Sequence, residues 1–387
     1  MSAPASGTTI DAVALPGREG VFSLTLENGA VASILSSPAQ KARWLALPGL
    51  VNLHAHADRA FTVSSFRPRS FADSLAAAAK ARAAFTADDV RERAGRLFEN
   101  SVRYGVTRIR THTDVDPIVE LRSMEGVSAA RHDYSGKIDV DIIAFSTSRN
   151  DLADPAAIAR LQNAIAMRPA YLGASLNSAS EPARALETLL DLAERHDLPV
   201  DLHLDEHLDP AASLARMVAD AVIVRGLQGR VTFSHLCVLS MLDPNQIAAL
   251  IERIARAEIT VIALPETNLF LQDRGAGTPL RRGVTLVREL IAAGVAVRFG
   301  TDNVRDWFFP FGDGDMLATA TFAVTATHLD DDAALLRGIC DGRSDIEEGM
   351  PADLVLLAAA SLDDALARQP SGRVVFKQGR QVAGPAV

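Results

Sequence analysis

Eight short apolar segments, rich in β-branched residues, recur through the middle of the chain, and a stretch with helical periodicity follows each. They cover residues 50–56, 107–115, 138–145, 171–177, 199–206, 230–236, 260–266 and 295–302. Strands that alternate with helices predict a parallel sheet, because parallel neighbours need a crossover that a helix supplies. Eight such units in about 250–300 residues fit a (β/α)8 TIM barrel. The main alternative, an open doubly wound sheet, calls for a Gly-rich phosphate loop after its first strand. Here the first strand ends in His54-Ala55-His56 instead, which favours the barrel. The clearest helix is 181–197, where Leu186, Leu189, Leu190 and Ala193 share one face, with Ser180 as N-cap and Pro182 in the first turn. Gly294 sits where a C′ glycine would end the helix over 284–293.

The two ends read differently. Short strands are expected around 12–15, 21–26 and 30–35, and again at 352–357 and 373–376, with turns at Asn28-Gly29 and Gln378-Gly379. They predict a small β-sandwich-like domain built from both termini, so the division is 1–48 and 348–387 for that domain and 49–347 for the barrel. The net charge of −9, from 48 acidic and 39 basic residues, gives no basic footprint for nucleic acid. No apolar run reaches a membrane span, and the N-terminus lacks the pattern of a signal peptide. Cys237 and Cys340 make no disulfide framework. A reduced, cytoplasmic protein is expected.

Histidine carries the functional signal. His54, His56, His112, His203 and His235 fall at or near the C-terminal ends of expected strands, the face on which barrel active sites form. His54 and His56 share a strand face by period two, and a divalent metal would satisfy both imidazoles at once. His203 would be a third ligand. Glu206, just past that strand, would shuttle protons. His235 would orient water or polarise the substrate, and Asp302 would complete the metal site and take a proton. Beyond Asp302, residues Asn303, Arg305, Asp306 and Trp307 are candidates for the substrate loop, and Trp307, Phe308 and Phe309 for stacking on a planar ring. Packing of those aromatics under the barrel mouth is the equal alternative. His112 and Asp114 would support the site. His207 reads as part of a solvated loop run, and Cys237 as a buried structural thiol. None of Lys41, Lys80, Lys137 and Lys377 lies in an expected strand, so no bridging lysine is available and a single metal is expected. Nitrogen and carboxylate ligands suit Zn2+ or Fe2+ equally.

The run 47–58, with His54 and His56, resembles the opening motif of the amidohydrolase superfamily. His203, His235 and Asp302 follow in its order, and 348–356 is similar to its return segment to the small β domain. Within the superfamily, 110–115, 281–285, 299–304 and 310–317 resemble the cytosine deaminase group. The resemblance implies one metal ion on His54, His56, His203 and Asp302, a proton shuttle at Glu206, water activation at His235, a small heterocyclic substrate and a homo-oligomer. Thr147 stands where that group reads the pyrimidine with glutamine, and Asn303 where it has a second aspartate. The run 302–306 is more similar to N-isopropylammelide amidohydrolases, which lack the glutamate present here at 206. The expected reaction is therefore hydrolytic deamination of an aminated N-heterocycle, such as a pyrimidine or triazine. Release of an alkylamine or opening of a cyclic amide is the second reading. A silent barrel used only for binding would have lost ligands, and here none is missing.

Overall fold

The protein, seen as a computed structural model, is described over residues 7–63 and 67–386. Its strands, in chain order, begin with β1 (Thr8–Ala14), β2 (Phe22–Glu27), β3 (Ala30–Ser36) and β4 (Trp44–Pro48). The barrel strands are β5 (Leu50–Ala55), β6 (Val106–Val115), β7 (Asp139–Ser146), β8 (Tyr171–Ser175), β9 (Val200–Leu204), β10 (Val231–His235), β11 (Thr260–Ala263) and β12 (Val297–Phe299). Then come β13 (Leu354–Leu357), β14 (Val374–Lys377) and β15 (Arg380–Ala383). Strands β5 to β12 pair in sequence order, all parallel, with helices between them. The chain is a (β/α)8 barrel with a separate sheet from its ends.

Closure happens at the site. Past the end of β12, Asp302 forms a parallel bridge with Ala55, and its N–H donates to the His54 carbonyl at 2.8 Å. Gly300 permits that approach. A Cβ at Gly300 would lie 2.6 Å from His54 Cβ and 2.8 Å from its carbonyl oxygen, and backbone cannot swing aside as a flexible side chain can. Gly300→Ala is expected to cost about 1–3 kcal/mol of stability, the usual range for overpacking. The strain falls on His54, so metal retention should fall too. A urea melt and metal analysis of the same preparation check both.

The terminal sheet has the order β15-β14-β13-β4-β1-β2-β3. Its centre, β4, has no counterpart among the expected strands. Trp44–Pro48 is buried along its whole length and so shows no polar alternation to read. The alternation is between two cores instead. Trp44 and Ala46 join the core of the terminal sheet, and Leu45 and Leu47 join that of the barrel. In β13, Leu354 and Leu356 divide from Val355 and Leu357 in the same way.

Several strand ends are shorter than expected. The 171–177 segment turns into a 3-10 helix at Leu176–Ser178. The 295–302 segment is strand only over Val297–Phe299. In 260–266 the strand stops at Ala263, and Pro265 opens a helix, Pro265–Leu271, whose first residue needs no N–H partner. The helix expected over 181–197 runs Pro182–His196, but its N-cap is Glu181. The Ser180 N–H donates to Asp151 Oδ2 at 2.8 Å instead. Among the described residues no helix is long and apolar enough to cross a membrane.

Candidate active site

Parallel strands deliver the polar residues at their C-terminal ends to one mouth. There His54, His56, His203 and Asp302 converge, each buried, with one ligand atom from each within 4.8 Å of the others. His56 Nε2 lies 3.2 Å from His203 Nε2 and 3.2 Å from Asp302 Oδ1, and His54 Nε2 lies 3.5 Å from the same oxygen. Ligands about 2.0–2.1 Å from a tetrahedral zinc are spaced in this range. His54 Nε2 and both Asp302 oxygens have no hydrogen-bond partner among the described residues. Buried polar atoms left so are costly, and a cation between them removes the cost. The residues present therefore fit one divalent ion.

Tautomers agree. The Ser234 hydroxyl donates to Asp201 Oδ1 at 3.0 Å, so its oxygen accepts from His54 Nδ1–H at 2.9 Å. His56 Nδ1 lies 3.2 Å from the His112 carbonyl, which can only accept. Both rings then turn a bare Nε2 to the centre, and the outer partners fix their orientation. Burial, with His112 beside it, pushes His54 down to about 3, and burial holds His56 and His203 well below the usual histidine range. Neutral imidazole is the ligating form.

A cavity of about 240 Å³ opens above this cluster. Glu206, His235 and Asp302 line it, together with the apolar Phe71, Leu75, Phe145 and Phe308. Burial pushes Glu206 up to about 7. His235 Nδ1 sits 3.7 Å from Glu206 Oε1. Thr147 and Asn303 also line the cavity, and both are engaged. The Thr147 hydroxyl donates to Asp116 Oδ2 at 2.9 Å, and Asn303 Oδ1 accepts from Arg59 Nη2 at 3.0 Å.

The aromatic run splits. Asp306 Oδ1 accepts the backbone N–H groups of Phe308 and Phe309 and turns the loop, so that Phe308 faces the cavity. Trp307 is not among the cavity residues. It packs with Phe71, Leu75 and Phe270 around Phe308. Phe309 packs edge-on against Phe270 at 5.4 Å. His207 is no solvated bystander: it lines the cavity, its Nε2 2.9 Å from Asn177 Nδ2. His112 lies beneath the cluster, its ring centroid 4.0 Å from that of His54 and its Nε2 3.3 Å from Asp201 Oδ1. Cys237 is buried, and burial pushes its thiol well up. Arg59 and Arg82, also on the cavity wall, carry no sequence signal that separates them from surface arginines. Arg82 grips Asp114 at 2.5 Å and Asp116 at 2.6 Å.

Known proteins share this framework. The amidohydrolase family pattern matches residues 72–383. A pterin deaminase from Rhizobium rhizogenes is 32% identical over an alignment spanning 97% of this chain and 93% of that protein. The crystal structure of a 5-methylcytosine deaminase from Klebsiella pneumoniae, with 5-fluorocytosine, is similar at a TM-score of 0.90 and 26% identity, over 98% of each chain. An N-isopropylammelide isopropylaminohydrolase from Burkholderia multivorans is similar at a TM-score of 0.83 and 28% identity, again over 98% of each chain.

Proposed function

The chain belongs to the amidohydrolase family, as a cytosine deaminase-like hydrolase of carbon–nitrogen bonds, and on that premise we propose that it deaminates an aminated N-heterocycle: a pyrimidine, triazine, pterin or related ring. The observation that carries this is the buried cluster of His54, His56, His203 and Asp302 under a cavity that Glu206 and His235 also face.

His54, His56, His203 and Asp302 would hold one divalent ion, zinc or ferrous iron. When bound, such an ion supplies Lewis acidity and a water that is nucleophilic near neutral pH. Everything else falls to side chains. Asp302, with His235, takes one proton of the attacking water. Glu206, whose carboxyl is pushed up to about 7 by burial, gives its proton to the ring nitrogen beside the attacked carbon, takes the remaining proton of the added hydroxyl as the oxo group forms and passes it to the departing amine. The proton held by Asp302 and His235 then returns to Glu206. Water is consumed, the ring gains an oxo group and ammonia leaves. Phe308 offers a face to a planar ring, and Thr147 and Asn303 offer polar contacts at its edge.

One feature supports a second reading. Asn303, held by Arg59 directly after Asp302, belongs to the run 302–306 that resembles N-isopropylammelide amidohydrolases. An alkylamine would leave through the same proton transfers.

The test is mass spectrometry of metal-loaded protein with aminopyrimidines, aminotriazines, N-alkylaminotriazines, pterins and cyclic amides. Exchange of NH for O on a ring is the expected product. Loss of a whole alkylamine would favour the second reading. Ring opening by addition of water would overturn the deaminase.

A further inference from the structure

The helix Pro265–Leu271 buries three polar side chains in a row, Glu266, Thr267 and Asn268. Such residues are costly inside a protein unless each finds a partner. Each finds one, in a different place, though Asn268 Nδ2 has no partner among the described residues. Glu266 accepts from the Thr319 hydroxyl at 3.1 Å, Thr267 Oγ1 accepts from Asn303 Nδ2 at 3.4 Å, and Asn268 Oδ1 lies 3.0 Å from His235 Nδ1.

The last contact bears on chemistry. His235 is 1% exposed, and its backbone has φ 78°, in the left-handed region that costs a side-chain-bearing residue free energy. The Thr285 hydroxyl pins its carbonyl at 2.6 Å. With the backbone held, the open variable is which ring nitrogen carries the proton. Two oxygens flank Nδ1, that of Asn268 at 3.0 Å and Oε1 of Glu206 at 3.7 Å. A lone pair at Nδ1 would be repelled by the Asn268 oxygen and by the Glu206 carboxylate, whereas an N–H is stabilised by both. Turning the Asn268 amide over would make Nδ1 the acceptor and protonate Nε2, but the ionised Glu206 oxygen opposes that form. Nε2 has no partner among the described residues, and the ring lies 4.8 Å, centroid to centroid, from that of His203.

We propose that Asn268 is a positioning residue that holds His235 in the Nδ1–H tautomer, so that Nε2 stays a bare acceptor facing the candidate metal cluster. The catalytic consequence rests on the reading of His235 as a base in the proposed reaction. The tautomer itself does not.

Long-range 1H–15N spectra of the zinc-loaded full chain, labelled at histidine ring nitrogens and kept mildly alkaline so that Glu206 is ionised, read the tautomer directly. His235→Gln identifies the resonance. The wild type should show His235 with a protonated Nδ1 and an unprotonated Nε2. Asn268→Ala should populate the Nε2–H form, and Asn268→Asp, which keeps an acceptor oxygen, should restore the wild-type pattern. On any ring that the wild type deaminates, Asn268→Ala should lower kcat about 10–100-fold, the usual effect of an outer-shell partner. KM should stay near its wild-type value, and Asn268→Asp should recover most of the loss. Nε2–H in the wild type, or a tautomer unchanged in Asn268→Ala, overturns the proposal. Should Asn268→Ala fail to fold, the wild-type and Asn268→Asp spectra decide it. If the wild type turns over no ring, the proposed function fails while the spectra still decide the role of Asn268.

Discussion

Asp302→Ala is expected to abolish metal retention and turnover together, with the barrel left folded. Asp302 is the one carboxylate in the cluster, and the three imidazoles that remain are neutral. A divalent ion would then face no compensating charge and an incomplete shell. The fold should survive. His54, His56 and His203 are buried in the form that carries no charge, so no unpaired ion is left behind. Closure of the barrel at this point runs through the backbone of Asp302 and not through its carboxylate. Metal analysis per chain should give about one ion in the wild type and far less in the variant, with circular dichroism unchanged. Ser234→Ala is the graded control. It removes only the hydroxyl between Asp201 and His54, so a partial loss of about 10–100-fold in metal affinity or activity is expected. Full activity of Asp302→Ala at low metal content would remove the ion from the reaction.

The contrast between Asp302 and Ser234 also marks what a sequence can reveal. The histidines and Asp302 are legible because strand periodicity and strand ends are local properties, and a barrel sends every strand end to one mouth. Ser234 reaches His54 across 180 residues, and Arg59 reaches Asp306 across 247. No local pattern encodes such pairings. Strand β4 is hidden for a related reason: it is buried on both faces, so its alternation sorts two cores and not core from water. The helix Pro265–Leu271 hides behind its own composition, since an apolar strand running into Leu264-Pro265-Glu266 shows no periodicity before the helix begins. In the loop after β12 the three aromatics are equivalent by type. Only the turn made by Asp306 separates Phe308, which lines the cavity, from Trp307 and Phe309, which pack with Phe270.

Glu206→Gln is expected to keep the metal and lose about 10²–10⁴-fold in turnover, the range for removing a positioned acid–base group. Glu206 lies outside the four-residue cluster, so metal content should not change. Glutamine preserves shape and can donate a hydrogen bond, but it cannot release a proton to a leaving amine. The pH dependence follows from burial, which pushes the Glu206 carboxyl up to about 7. The active donor is the protonated form, so wild-type rate should fall as pH rises through that value. A bound cation favours the carboxylate and moves this fall to lower pH. The residual activity of Glu206→Gln should lack that limb. Stability moves by the same linkage. The folded state binds the proton more tightly than the unfolded one, so the contribution of Glu206 is complete below the ordinary glutamate range and is lost as pH rises through about 7. In chelated protein, Glu206→Gln should therefore gain stability relative to the wild type as pH rises across that window. A variant whose stability gains in this way while turnover stays near the wild-type rate would establish the buried carboxyl and deny it the proton transfer. His235 and Asp302 would then be the remaining groups able to serve the leaving amine, and the role of Asn268 in fixing the His235 tautomer would bear on both halves of the reaction.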